Sequence, residues 1–107
     1  TDDVRDSTSL IIANLLLKKG AIIKAYDPQA MKNSKILIPD LEYCKSIHEA
    51  TSSVEAIIIA TEWNEFRALD FSYYSKNNNF PIIFDLRNIY NKEDIINLGF
   101  KYYGIGK

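Results

Sequence analysis

The sequence predicts an α/β domain of the Rossmann-like, doubly wound type: a parallel sheet with helices on both faces. Three observations predict it. Ala56 to Thr61 (AIIIAT) and the run opening at Pro81 (PIIF) are short and continuously apolar, as strands buried on both faces are. Apolar strand-like runs alternate with helical segments along the whole chain. The second run stops abruptly in Asp85-Leu86-Arg87, as a buried parallel strand does when its carboxyl end opens onto a site.

Taken in order, Thr1 to Asp6 is polar and charged and reads as a loop, with Asp6 or Ser7 able to cap a helix from Ser7 to Lys19. Gly20 ends that helix just past two lysines that suit its carboxyl end. Ser7, Asn14 and Lys18 form only a narrow polar stripe on it, so it is expected to pack on more than one side. Ala21 to Tyr26 reads as a strand stopped at Asp27-Pro28. Gln29 to Leu37 reads as loose helix or loop, Leu41 to Cys44 as a short strand, and Lys45 to Ser52 as a brief helix carrying His48 and Glu49. After AIIIAT comes the polar and aromatic cluster Glu62-Trp63-Asn64-Glu65-Phe66. Leu69 to Lys76 is helical, Asn77 to Asn79 a loop, and Pro81 begins the next strand. Lys92 to Leu98 is an amphipathic helix ended by Gly99, and Phe100 to Ile105 is the last strand.

One thing does not fit an isolated fold. The chain opens on a helix, and a crossover helix in a parallel sheet needs a strand on either side of it. In the usual strand order 3-2-1-4-5-6, the absent strand is the first, central one. The chain is therefore expected to be a single domain spanning residues 1–107, cut at its amino end from a longer polypeptide. Its unpaired strand edges are expected to make it a homo-oligomer.

Bulk properties exclude several function classes. Basic residues number 13 against 14 acidic ones with no basic stripe, so the charge needed to neutralise nucleic-acid phosphates is missing. The apolar stretch Leu10 to Leu17 is too short for a bilayer span, and no membrane partner is expected. A lone Cys44 cannot form an internal disulfide and reads as a reduced packing residue in a cytoplasmic protein. The lone His48 has no ligand-type partner at useful spacing and reads as a solvated helical histidine; no metal site is expected. No Ser-His-Asp or Cys-His set can be assembled, so no catalytic residue is assigned. The four glycines, Gly20, Gly99, Gly104 and Gly106, make no G-x-G-x-x-G phosphate loop.

In a doubly wound sheet Asp2 to Arg5, Tyr26-Asp27, Thr61 to Trp63 and Asp85 to Arg87 come to one rim. Arg5 and Arg87 then stand on the order of 10 Å apart, a span suited to an extended nucleotide. Arg87 has the planar donor fork that phosphate or carboxylate takes; the alternative is an exposed arginine paired with Asp85.

The motifs Thr1-Asp2-Asp3-Val4-Arg5-Asp6-Ser7, Ala25-Tyr26-Asp27-Pro28, Thr61-Glu62-Trp63-Asn64-Glu65-Phe66, Phe84-Asp85-Leu86-Arg87-Asn88 and Tyr103-Gly104-Ile105-Gly106 occur in this order across nearly the whole chain. In order and spacing they resemble the carboxyl-terminal UDP-binding domain of the UDP-glucose/GDP-mannose dehydrogenase family. The resemblance implies the nucleotide-sugar-binding part of an NAD-dependent enzyme that oxidises UDP-glucose to UDP-glucuronate in polysaccharide biosynthesis. Alternatives are another sugar nucleotide, such as UDP-N-acetylmannosamine or GDP-mannose, or a binding or assembly fragment without chemistry. By motif position Arg87 would contact the UDP moiety of the substrate, and Arg5 would reach NAD held mainly by a domain outside this chain. The catalytic cysteine of such enzymes lies outside the matched region and Cys44 does not align with it, so the chain alone is expected to be inactive. Glu62 and Trp63 belong to the family signature, although packing and hydrogen bonding under the rim is their plainer role. The family usually has glycine where Leu86 stands. If that position requires positive φ, Leu86 is strained by about 1 to 2 kcal/mol; otherwise the backbone there is ordinary.

Overall fold

The computed structural model describes residues 2–27, 38–77 and 79–106, with side chains from Thr8 onward in the first helix. The segment 29–37, expected to be loose helix or loop, lies outside the described residues. The chain is mixed α/β and Rossmann-like, with every strand pair parallel. Its elements divide into two compact units, residues 1–50 and 51–107.

In the first unit, helix α1 (Asp2–Lys18) is followed by strands β1 (Lys24–Ala25) and β2 (Glu42–Tyr43) and by helix α2 (Ile47–Thr51). Helix α1 begins five residues before the expected Ser7, so Asp2 to Asp6 are helical rather than a loop. Nothing in TDDVRDS breaks a helix, and its early acidic residues suit the positive end of the helix dipole. Gly20 ends α1 as expected. At φ 92° it carries paired bonds, its own N–H to the Leu17 carbonyl and that of Ala21 to Leu16, each 3.0 Å. No described side chain of α1 is buried, contrary to the expected packing on several sides, and Ile11 and Leu15 are exposed one turn apart. Strand β1 is shorter than the run Ala21 to Tyr26, because its ladder with β2 has a register of only two residue pairs. Ile38, Leu41 and Cys44 are the buried apolar side chains here. Ser46 caps α2, its Oγ accepting from the Glu49 N–H at 3.1 Å.

The second unit holds a three-stranded sheet in the order β3 (Ala56–Ile59), β4 (Ile82–Asp85), β5 (Lys101–Gly104). Helices α3 (Asn64–Arg67) and α4 (Phe71–Lys76) lie in sequence between β3 and β4, and α5 (Lys92–Asn97) between β4 and β5. Asp70 and Asn91 cap α4 and α5, accepting from the N–H groups of Tyr73 (3.2 Å) and Asp94 (3.0 Å). The strand register places Ile57, Ile83 and Tyr102 side by side, all buried. Their core continues into a ring cluster in which Phe71 meets Tyr90 at 4.7 Å and Tyr74 meets Phe80 at 5.0 Å between centroids. On the opposite face Ile58, Phe84 and Tyr103 form a second row, more open, with the Phe84 and Tyr103 rings stacked at 5.2 Å.

The described strands thus make two sheets rather than one. None of the described helices is long and apolar enough to cross a membrane.

Candidate functional site

The site is built where β3 and β4 end. Strand β4 is the middle strand of its sheet, and the ladder continues one residue past it, the Leu86 N–H donating to the Ile59 carbonyl at 3.0 Å. The chain then turns through Leu86, Arg87 and Asn88 toward Tyr90. What shapes that turn is Asp85, which is fully buried. Its Oδ1 accepts from the Arg87 N–H at 3.1 Å, and its Oδ2 from the Tyr90 N–H at 3.0 Å and the Tyr102 hydroxyl at 2.7 Å. A charged group withdrawn from water needs such a set of donors, and here each donor comes from the turn or from the next strand. Tyr90 in turn donates its hydroxyl to the Phe66 carbonyl at 2.6 Å, tying the turn to the end of α3.

A second fastening lies two residues beyond Leu86. Asn88 has φ 53°, a left-handed conformation that asparagine tolerates better than most residues. Its side chain brackets the backbone of one residue just past β5, accepting from the Ile105 N–H at 2.9 Å and donating to the Ile105 carbonyl at 2.8 Å. The only non-glycine residues with positive φ among those described are Ser53 and Asn88, so Leu86 has an ordinary backbone. The strain considered for leucine at this position does not arise.

Between these two fastenings Arg87 extends its side chain toward Glu62, in the segment that follows β3. Nη2 of Arg87 lies 3.1 Å from Glu62 Oε1, and Nη2 of Arg67 lies 3.5 Å from Glu62 Oε2. The Arg87 and Glu62 side chains are 31% and 32% exposed. Arg87 is therefore ion-paired but not sealed off, and among the described residues Nη2 is the one part of its guanidinium engaged. One carboxylate thus lies between two guanidinium groups. The expected alternative, Arg87 paired with Asp85, is not what forms: Asp85 holds the Arg87 backbone, and Glu62 holds its head group.

Neighbouring residues complete the description. Thr61 is buried at the end of β3, and the Trp63 carbonyl accepts from the Phe66 N–H at 3.0 Å to start α3. The Trp63 Nε1–H is buried without a partner among the described residues. Burial, reinforced by the Asp85 charge, pushes the Tyr90 phenol well above its ordinary range. Burial also raises Tyr102, together with its hydrogen bond to Asp85. Arg5 lies in α1, with its side chain outside the described part. His48 is exposed on α2, and Cys44 is fully buried, in keeping with a packing role. The ligand atoms of Glu42, Cys44 and Glu49 converge within 4.8 Å, a grouping the sequence did not suggest. Burial and the charges of Glu49 and Glu42 raise the thiol pKa, which opposes a thiolate there.

A parallel, Rossmann-like sheet with an arginine on a carboxyl-end turn, its backbone fixed by a buried aspartate, places the domain in the doubly wound class. Comparison with known proteins makes the family specific. The model of the UDP-glucose/GDP-mannose dehydrogenase family, UDP binding domain, matches residues 1–92. Curated relatives include UDP-glucose 6-dehydrogenases of Rhizobium meliloti (42% identical, covering 100% of this chain and 24% of the relative) and Rickettsia felis (43%, covering 99% and 24%). That of Bacillus subtilis is 35% identical, covering 100% of this chain and 24% of the relative. Among solved structures, a UDP-D-ManNAc dehydrogenase from Pyrococcus horikoshii shares the fold, with a TM-score of 0.55 at 21% identity over 98% of this chain and 31% of that one. The chain belongs to the UDP-glucose/GDP-mannose dehydrogenase family and matches its UDP-binding domain. It spans about a quarter of the length of these curated relatives.

Proposed function

We propose that this chain is the nucleotide-sugar-binding part of an NAD-dependent dehydrogenase that oxidises UDP-glucose to UDP-glucuronate. The observation that carries the reading is Arg87: a guanidinium with its backbone fixed by Asp85, its head group held by Glu62 and its remaining N–H donors available for a diphosphate. The names of the curated relatives, at 33–43% identity, favour UDP-glucose over other sugar nucleotides. In this role Arg87 binds the UDP moiety, bridging phosphate oxygens that the sugar itself does not present.

The residues present do not form a cradle for the dinucleotide. Gly20 and Gly99 each end a helix and lead toward a strand, so neither lies between a strand and the start of a helix. NAD is held, on this reading, by a part of the polypeptide outside this chain, with Arg5 as the one residue here that reaches it. This chain supplies binding and orientation of the substrate and no reacting group, so it is inactive by itself. Strand β3 has one strand neighbour among the described residues, and assembly as a homo-oligomer is part of this reading.

The test is Arg87→Ala in the full-length enzyme. A charge-assisted contact to phosphate contributes about 1.5–3 kcal/mol, so KM for UDP-glucose should rise roughly 10- to 150-fold. A KM within twofold of the unaltered enzyme would remove Arg87 from the site. A panel of nucleotide sugars assayed with the same enzyme identifies the sugar.

A further inference from the structure

Glu62 has a defined task if Arg87 binds the nucleotide, and the inference that follows rests on that reading. Arginine has a long, flexible stem, and an unheld guanidinium spends much of its time away from any one ligand geometry. Here the stem starts from a fixed point, because Asp85 holds the Arg87 N–H at 3.1 Å. The far end is fixed separately by Glu62 Oε1, 3.1 Å from Nη2. Arg87 and Glu62 follow different strands, 25 residues apart in sequence, and the parallel pairing of β3 with β4 brings them together.

A carboxylate beside a phosphate site would ordinarily repel the ligand. Arg67 offsets that, since its Nη2 lies 3.5 Å from the other Glu62 oxygen. We infer that Glu62 is a positioning residue of the nucleotide site: its carboxylate sets the Arg87 guanidinium in the orientation that takes the diphosphate, while Arg67 cancels the charge this arrangement introduces.

The experiment uses the full-length enzyme, with Kd for UDP by calorimetry and steady-state KM and kcat for UDP-glucose. Glu62→Gln keeps the size of the side chain and removes its charge; Glu62→Asp keeps the charge and withdraws it from Arg87. A partly exposed ion pair of this kind corresponds to about a two- to fivefold effect. Both variants should weaken UDP binding and raise KM by that factor, with kcat within twofold of wild type. The Glu62→Gln effect should shrink as salt is added. In an Arg87→Ala background Glu62→Gln should change Kd by less than 1.5-fold, which a general structural defect would not produce. Unchanged or tighter UDP binding in either single variant, or an equal loss in the Arg87→Ala background, would overturn the inference. If Arg87→Ala weakens UDP binding strongly while Glu62→Gln does not, the inference fails and the nucleotide reading stands. If Arg87→Ala leaves binding intact, the reading itself fails.

Discussion

Replacing Asp85 with asparagine tests the part of the structure on which the Arg87 turn depends. The wild-type carboxylate accepts three hydrogen bonds, one at Oδ1 and two at Oδ2, all from donors that belong to the turn or to β5. Asparagine offers one acceptor oxygen. Its best placement keeps that oxygen where Oδ2 serves Tyr90 and Tyr102 and turns the amide NH2 against the Arg87 N–H, donor facing donor. One hydrogen bond to a charged acceptor is lost, about 1.5–3 kcal/mol, and the other two lose their charge assistance. The expected destabilisation is about 2–4 kcal/mol. Trp63 is the single tryptophan of the chain and lies close after β3 in sequence, so its fluorescence during urea denaturation reports on this unit. A change below about 0.5 kcal/mol, the range of an ordinary surface substitution, would refute the argument that a buried carboxylate organises the turn.

Two further outcomes are expected. Asn88→Ala removes both bonds to Ile105 and places an alanine at φ 53°, for a cost of about 2–4 kcal/mol, while Asn88→Gly relieves the backbone and loses only the bonds, about 1–3 kcal/mol. In both, the Ile105 amide should exchange hydrogen faster than in wild type; equal rates would show that the bracket does not hold the chain end. Alkaline pH should also lower stability, because Tyr90 and Tyr102 keep their protons in the fold above the ordinary value of 10.0. Their contribution is complete below pH 10 and is lost progressively as the pH rises above it toward the raised values of the folded state, since the unfolded chain then releases protons the folded chain retains. Two such groups give a fall of about 2–3 kcal/mol between pH 9 and 11, and Tyr102→Phe should remove about half of that slope; an unaltered slope would count against it.

The strands β3 and β4 were legible because uninterrupted β-branched runs have few other readings, and the helix stops at Gly20 and Gly99 because positive φ there suits glycine. Asp85 to Arg87 was recognisable as the end of a strand. Its internal wiring was not. Periodicity tells which face a residue takes, but not which of several carboxylates meets an arginine, and Glu62 reaches Arg87 only through the register of β3 against β4. The Asp-x-Arg spacing did hold a usable signal, since an aspartate commonly accepts from the backbone two residues on. Helix α1 starts before Ser7 because nothing in Asp2 to Asp6 breaks a helix, and local propensity there outweighs the topological expectation of a loop. The short β1 shows the opposite limit: an apolar run is extended only as far as a partner strand supplies hydrogen bonds.

The turn after β4 is fastened at residues 85 and 88, and its backbone at Leu86 is unremarkable. Side chains at 86 and 89 can therefore be exchanged without redrawing the loop around them. The turn is thus a durable frame with an editable tip: what stands beside Arg87 can change while the way Arg87 is presented is inherited.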